Sequence, residues 1–163
     1  MEVRRASAAD IGDFMRIERT EGHDVLVGRS SAEQHAARLA RTDVAIFMLE
    51  VAGAARAFAQ IEGIGDPHGG VYLRRIASDA PGQGYGAPLL RHVIDWSFED
   101  ASAPRFWLDV MSYNARARSL YAGMGLKEEG VMRSSYALPD GQRADRIIMA
   151  LLDVEWRAGQ GRR

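Results

Sequence analysis

The stretch between Ile76 and Gly86 has glycines at alternate positions, Gly82, Gly84 and Gly86, between a strand-like apolar segment and an amphipathic helix. Glycine tolerates positive φ and lets a ligand approach the main chain closely. The N–H groups that begin a helix have no intrahelical partner and lie at the positive end of the helix dipole. The turn therefore predicts an anion site, with a pyrophosphate as its natural occupant. The alternative is a plain turn from strand to helix.

Two common phosphate motifs are excluded by the residues of this turn. The nucleotide P-loop ends in Gly-Lys-Ser/Thr, whereas this chain continues Gly86-Ala87-Pro88. The dinucleotide fingerprint is GxGxxG, whereas the spacing here is GxGxG, and no acidic residue closes a βαβ unit at the required distance. The turn is therefore expected to hold a phosphate group that belongs to neither a nucleoside triphosphate nor NAD.

Apolar periodicity and turn residues predict the remaining elements. Ser7 with Asp10, and Ser31 with Gln34, have capping-box spacing, so each pair marks the beginning of a helix. Strands are predicted at residues 2–6, 44–51, 57–64, 71–77, 106–110, 126–138 and 143–153. Helices are predicted at 9–20, 31–41, from the glycine turn to 98, and at 115–124, with a solvated tail at 159–163. The pattern indicates an α+β chain, or α/β with a mixed sheet.

The composition narrows the classes of function. A formal net charge of −1, from 21 basic and 22 acidic residues, argues against nucleic-acid or membrane-surface binding by bulk charge. The absence of cysteine excludes disulfides, thiolate metal sites and a cysteine nucleophile, and it fits a cytoplasmic location. The four histidines have no metal-ligand spacing, so no metal is expected. The length of 163 residues predicts a single domain, 1–163.

The glycine turn resembles the acetyl-CoA motif of the GNAT superfamily of N-acetyltransferases. That motif, Arg/Gln-x-x-Gly-x-Gly/Ala, lies between the fourth strand and the third helix. The segment Pro81-Gly82-Gln83-Gly84-Tyr85-Gly86 matches its glycine positions. Pro81 stands where the family has a basic or amide residue. Because proline has no N–H, we expect one phosphate contact of the family to be missing here.

A second segment, Asn114 to Tyr121 followed by Gly125-Leu126, resembles the Asn-x-x-Ala-x-x-Leu-Tyr…Gly-Phe segment of the same family. Asn114 and Tyr121 are seven residues apart and so share a helix face. The resemblance places the Asn against the pantetheine arm and the Tyr hydroxyl beside the CoA sulfur. A phenol of pKa about 10 is a suitable acid for a leaving thiolate of pKa about 8.5. The helix alone leaves open that Tyr121 is only a packed aromatic.

The resemblance covers about residues 43–152 and is greatest to the branch with ribosomal-protein and polyamine acetyltransferases. It implies the GNAT fold, a mostly antiparallel mixed sheet of about seven strands with helices on both faces. It also implies direct acetyl transfer from acetyl-CoA to a primary amine of a protein N-terminus, lysine, polyamine or small compound. A homodimer is a further expectation. The residues expected to hold acetyl-CoA are Arg75, Ile76, Ala77, Gly82, Gln83, Gly84, Tyr85, Gly86, Ala87, Asn114, Ala117, Arg118 and Tyr121.

The acceptor half of the site is less defined by the sequence. Glu62, near the end of the third strand, is the first candidate for the base that deprotonates the amine; Asp109 and a water chain are alternatives. Arg116 and Arg118 are candidates for the CoA 3′-phosphate, or form a solvated helix face. The family architecture places the loop at 21–24 and the first two helices along one wall of the acceptor site. A non-catalytic acyl-CoA-binding sensor and a cofactor-free interaction domain remain alternative functions.

Overall fold

The computed structural model describes residues 1–23 and 28–160, which form a seven-stranded mixed sheet in the order β1-β2-β3-β4-β5-β7-β6. Every neighbouring pair is antiparallel except β4 and β5, which are parallel. The strands are β1 (Glu2–Arg5), β2 (Val44–Val51), β3 (Ala54–Glu62), β4 (Val71–Ser78), β5 (Arg105–Met111), β6 (Lys127–Ala137) and β7 (Arg143–Leu152). The helices are α1 (Ile11–Glu18), α2 (Ala32–Leu39), α3 (Gly86–Glu99), α4 (Ala115–Gly123) and α5 (Asp153–Gln160). The predicted α+β class and mixed sheet are confirmed.

Both predicted capping boxes form. The Ser7 hydroxyl accepts from the Ala9 N–H at the short 3₁₀ turn that precedes α1, and Asp10 bonds back to the Ser7 N–H. Ser31 and Gln34 form the equivalent reciprocal pair at the beginning of α2. These bonds satisfy N–H groups that have no intrahelical partner. They hold the beginnings of the first two helices in place.

The sheet is covered on both faces. On one face, here the α3 side, the apolar residues of α3 pack with Tyr121 of α4 and Trp156 of α5. On the other, here the α1 side, Phe14 and Ile17 of α1 pack over β2 and β3. Along β5 the side chains alternate, so Leu108 and Val110 join the α3-side core while Asp109 points to the opposite face.

The helix α5 was not predicted from the sequence. Residues 159–160, predicted as tail, end this helix; the rest of that prediction, 161–163, lies outside the described residues. Trp156 anchors the helix because its ring stacks on Phe98 at 5.3 Å and its Nε1–H donates to Asp95 at 2.7 Å. One aromatic anchor on eight residues gives too little periodicity for a sequence-based prediction. Among the described residues, no helix has the length and apolarity needed to span a bilayer.

Candidate active site

The two parallel strands at the centre of the sheet separate after a short contact. Only Val71 with Phe106, and Tyr72 with Trp107, are register partners between β4 and β5 in the described structure. Farther along, residues of both strands line a cleft of about 650 Å³. Separation of the strands leaves backbone N–H and C=O groups without ladder partners. The cleft is therefore lined by main-chain groups that an extended amide-containing ligand can bond.

A β-bulge in β4 changes the direction of its side chains at the cleft. Gln60 of β3 faces Arg75, and the next residue of β3, Ile61, faces Leu73, so Arg74 has no opposing residue. Leu73 belongs to the α3-side core, whereas Ala77 belongs to the α1-side core. On a regular strand, residues four apart point to the same face. Leu73 and Ala77 are four apart but point to opposite faces, so the bulge has reversed the alternation.

The glycine turn lies at one end of the cleft. Gly82 and Gly84 have φ values of 100° and 83°, which side chains with a Cβ rarely adopt. The N-cap residue of α3, Tyr85, makes no side-chain capping bond, so the cap leaves the first N–H groups of the helix available. The Arg116 guanidinium lies within 3.6 Å of the position that a Cβ on Gly82 would occupy. A helix N-terminus and an arginine thus meet at a turn suited to a phosphate.

The second motif forms the wall of the cleft on the α3 side. Asn114 caps α4, because its Oδ1 accepts from the Ala117 N–H at 3.1 Å. Tyr121 is only 8% exposed and lines the cleft. Burial, the negative charge of Asp109 and the neighbouring Tyr72 raise the pKa of Tyr121 to about 12. The phenol therefore stays protonated at neutral pH and is available as a proton donor.

A polar cluster occupies the opposite side of the gap. The Tyr72 hydroxyl donates to Asp109 Oδ1 at 2.5 Å, and Arg146 donates to Asp109 Oδ2 at 2.7 Å. Arg146 is held in turn by the Ser135 hydroxyl at 3.0 Å. Burial and the Asp109 carboxylate raise the pKa of Tyr72 to about 12. Tyr121 and Asp109 therefore face the same gap from the two sides of the sheet.

A buried ion pair supports the wall of the cleft on the α1 side. Glu18 of α1 is fully buried and accepts from the Ser30 N–H, from His35 Nε2 and from the Arg75 guanidinium. Burial raises the pKa of Glu18, but these bonds and the Arg75 charge outweigh it, so the pKa is lowered. The network joins α1 and α2 to β4 next to the bulge.

The predicted site residues divide into two groups. The cleft is lined by Arg75, Ile76, Ala77, Gly82, Gly84, Tyr85, Gly86, Ala87, Asn114, Ala117 and Tyr121, together with residues 21–23 of the predicted acceptor wall. Residue 24 of that wall lies outside the described residues. Gln83 and Arg118 do not line it; the Arg118 side chain instead bonds Glu128 and the Ser112 carbonyl.

Glu62 is not brought to the cleft. It lies on β3, one strand away, where its carboxylate accepts from Gln60 Nε2 at 2.7 Å and lies 3.8 Å from Arg41. The cleft lining also includes polar residues that were not predicted as site residues, among them Tyr72, Arg74 and Arg146. Their positions depend on the bulge and on the pairing of β5 with β7, neither of which has a local sequence signal.

Comparison with solved structures supports the same interpretation of the fold. The ribosomal-protein-S18-alanine N-acetyltransferase of Escherichia coli is 30% identical, with a TM-score of 0.77 over 93% of this chain and 92% of that one. A variant of the spermidine N-acetyltransferase SpeG from Vibrio cholerae superimposes with a TM-score of 0.84 over 98% of this chain and 99% of that one. At 18% identity, that second likeness concerns the fold alone.

Sequence comparison gives the family. The [ribosomal protein bS18]-alanine N-acetyltransferase of Haemophilus ducreyi is 33% identical over 69 residues, or 42% of this chain. The matched segment spans about half of that relative, 47% of its length. The model of the acetyltransferase (GNAT) family matches residues 13–126, which include the glycine turn, the bulge and the tyrosine helix. The chain therefore belongs to the GNAT family of acetyltransferases.

Proposed function

We propose that this protein transfers the acetyl group of acetyl-CoA directly to a primary amine. The observation that carries the proposal is the position of Tyr121, a buried and protonated phenol on one side of the gap between β4 and β5. The glycine turn at one end of the same cleft is suited to a pyrophosphate. A thioester cofactor anchored at that turn would extend along the cleft towards the phenol.

Three parts of the cleft would hold acetyl-CoA. The open N–H groups at the beginning of α3, with Arg116, would bind the pyrophosphate. Main-chain groups of β4, from Arg75 to Ala77, would bond the pantetheine amides, because β5 has separated from them. Since Asn114 uses Oδ1 to cap α4, its Nδ2 remains as the donor towards the pantetheine arm. When bound, acetyl-CoA supplies the activated acetyl group.

The residues on the two sides of the gap would divide the proton transfers. The neutral amine nitrogen attacks the thioester carbonyl and the C–S bond breaks, so that CoA leaves as a thiolate that Tyr121 protonates. The proton that the nitrogen loses as the amide forms would return to the Tyr121 oxygen through water. We assign the acceptor side to Asp109 instead of Glu62, because Asp109 lines the cleft and Glu62 does not. Asp109, held by Tyr72 and Arg146, would attract the incoming ammonium group and pass its proton to water.

Release of free thiol tests this proposal. The protein is mixed with acetyl-CoA and a panel of amines that includes peptides with free N-termini, lysine, diamines and small amino compounds, and the thiol is measured over time. We expect thiol release that depends on both protein and amine. Binding of CoA, confirmed by calorimetry, without release for any amine would instead identify a non-catalytic sensor.

We also propose a cytoplasmic homodimer that pairs through β6. This strand lies at one edge of the sheet, and its Val131 is 56% exposed. An exposed edge strand is a template for pairing with another chain. Light scattering of the wild type and of Val131→Lys checks the proposal, because a lysine on the edge would shift a dimer towards monomer.

A further inference from the structure

Arg74, the bulged residue of β4, carries an exposed guanidinium into the cleft. Within the described part of the chain, no carboxylate pairs with it, whereas Arg75 is bonded to Glu18 and Arg146 to Asp109. Burial raises the pKa of the Tyr72 hydroxyl, and Arg74 lowers it by a smaller amount. The Arg74 cation therefore lies close to Tyr72, the hydrogen-bond partner of Asp109, on the Asp109 side of the gap.

The cleft has too few carboxylates at its acceptor end to bind a polycation. Its described lining contains four arginines, Arg74, Arg75, Arg116 and Arg146, and two carboxylates, Glu21 and Asp109. Asp109, which is paired with Arg146, is assigned to the amino group that reacts, and Arg116 lies at the glycine turn. Among the described residues, the acceptor end therefore presents one cation without a carboxylate partner, Arg74, and one further carboxylate, Glu21.

We propose that the acceptor is an amine that also carries a carboxylate, and that Arg74 binds this carboxylate while the amino group faces Asp109 and the thioester. The inference rests on the proposed acetyl transfer and names its acceptor class. A guanidinium is suited to the task because it presents several N–H donors in a fixed plane that matches a carboxylate. An acceptor that covers Arg74 would remove water from the guanidinium. A neutral or polycationic acceptor would offer no anion in its place and would therefore be the poorer ligand.

The first experiment compares two amines that differ only in the carboxylate, L-lysine and cadaverine. In the wild type we expect kcat/KM to be higher for lysine, because hydrogen bonds to charged groups contribute roughly 10-fold or more to affinity. Arg74→Gln should lower the lysine-to-cadaverine ratio of kcat/KM by about 10-fold through the KM for lysine. Arg133→Gln, which removes an exposed arginine of β6 outside the cleft, is the matched control and should keep the wild-type ratio.

Two further amines identify the source of the carboxylate. Tripeptide amides that begin Ala-Asp and Ala-Asn present the same N-terminus with and without a side-chain carboxylate. A preference for the Ala-Asp peptide that Arg74→Gln removes would indicate an acidic protein N-terminus. A preference confined to lysine over cadaverine would indicate a free amino acid.

The outcomes separate this inference from the proposed function. Two results would overturn the inference and leave acetyl transfer standing. One is turnover with equal kcat/KM for both members of each pair of amines. The other is an Arg74→Gln defect in the KM for acetyl-CoA instead of the KM for the amine. Absence of turnover with every amine overturns the proposed function. In that case calorimetry measures the binding of Nε-acetyllysine and N-acetylcadaverine to the CoA-saturated protein. The inference requires that Nε-acetyllysine, which carries the carboxylate, binds more tightly and that Arg74→Gln removes this difference.

Discussion

The hydroxyl of Tyr72 donates to the carboxylate of Asp109 at 2.5 Å. Tyr72 belongs to the last of the two residue pairs that join β4 to β5, and Asp109 lies two residues beyond its partner Trp107. The Tyr72 ring also packs on Trp107 at 4.4 Å between centroids. This contact lies where β4 and β5 are still paired. It also fixes Asp109, a residue with apolar neighbours in sequence, at the edge of the gap.

Asp109→Asn should lower kcat/KM for the amine about 100-fold, because it removes the charge that attracts and deprotonates the acceptor while keeping the shape of the side chain. Steady-state kinetics with the amine varied at saturating acetyl-CoA measures the effect. Glu62→Gln is the comparison, since that carboxylate does not line the cleft. A larger loss in Glu62→Gln than in Asp109→Asn would restore Glu62 as the base.

Tyr121→Phe should lower kcat about 100-fold with little change in the dissociation constant of CoA, because only the proton donor is lost. The pKa of the folded phenol is about 12, above its ordinary value of 10.0, so the protonated acid persists to higher pH. The wild-type kcat should therefore show no alkaline decline from this group below pH of about 10. A decline with an apparent pKa of about 9 that disappears in Tyr121→Phe would contradict the raised pKa.

Gly84→Ala should raise the KM for acetyl-CoA, because the residue has φ of 83° and a Cβ would strain the turn that is to bind the pyrophosphate. The expected loss is about 10-fold, from a backbone strain of roughly 1–2 kcal/mol. Gly141→Ala is the matched control, with the same φ of 83° in the β6–β7 hairpin. Equal effects of the two substitutions on the KM would show that the loss is one of general stability.

Glu18→Gln should lower the free energy of unfolding by about 3 kcal/mol, because it leaves the mostly buried Arg75 cation without its anion. Since the pKa of Glu18 is lowered on folding from 4.5, its contribution is fully present above that value and is lost as pH falls through the folded pKa. The difference between wild type and variant should therefore be constant near neutral pH and shrink under acid. Urea unfolding at pH 7 and pH 4 measures it, and a difference that grows under acid would contradict the lowered pKa.

The geometry of the part of the cleft that is proposed to hold the cofactor follows from local sequence signals. The glycine turn needs positive φ at fixed positions, and Asn114 and Tyr121 share one helix, so spacing along the chain determines geometry. The two capping boxes followed from equally local signals. The helix at α5 did not, because Trp156 is its single buried residue.

The acceptor half was not predictable in the same way. Tyr72, Asp109 and Arg146 lie on three strands and meet only because β5 pairs parallel with β4 and antiparallel with β7. Asp109 was considered as a base, on the face of its strand opposite to Leu108 and Val110, but the sequence did not indicate which face meets the substrate. In the structure, Leu108 and Val110 lie in the α3-side core. Arg74 depends on a bulge of one residue, which strand periodicity does not predict.

The short contact between β4 and β5 divides the sheet into a four-stranded and a three-stranded part that share two residue pairs. A ligand that fills the gap and bonds both strands acts as a temporary eighth strand, completing a ladder that the polypeptide leaves open. Cofactor binding would then join two mechanical units into one. The same molecule that carries the acetyl group would hold together the framework that aligns Tyr121 with Asp109.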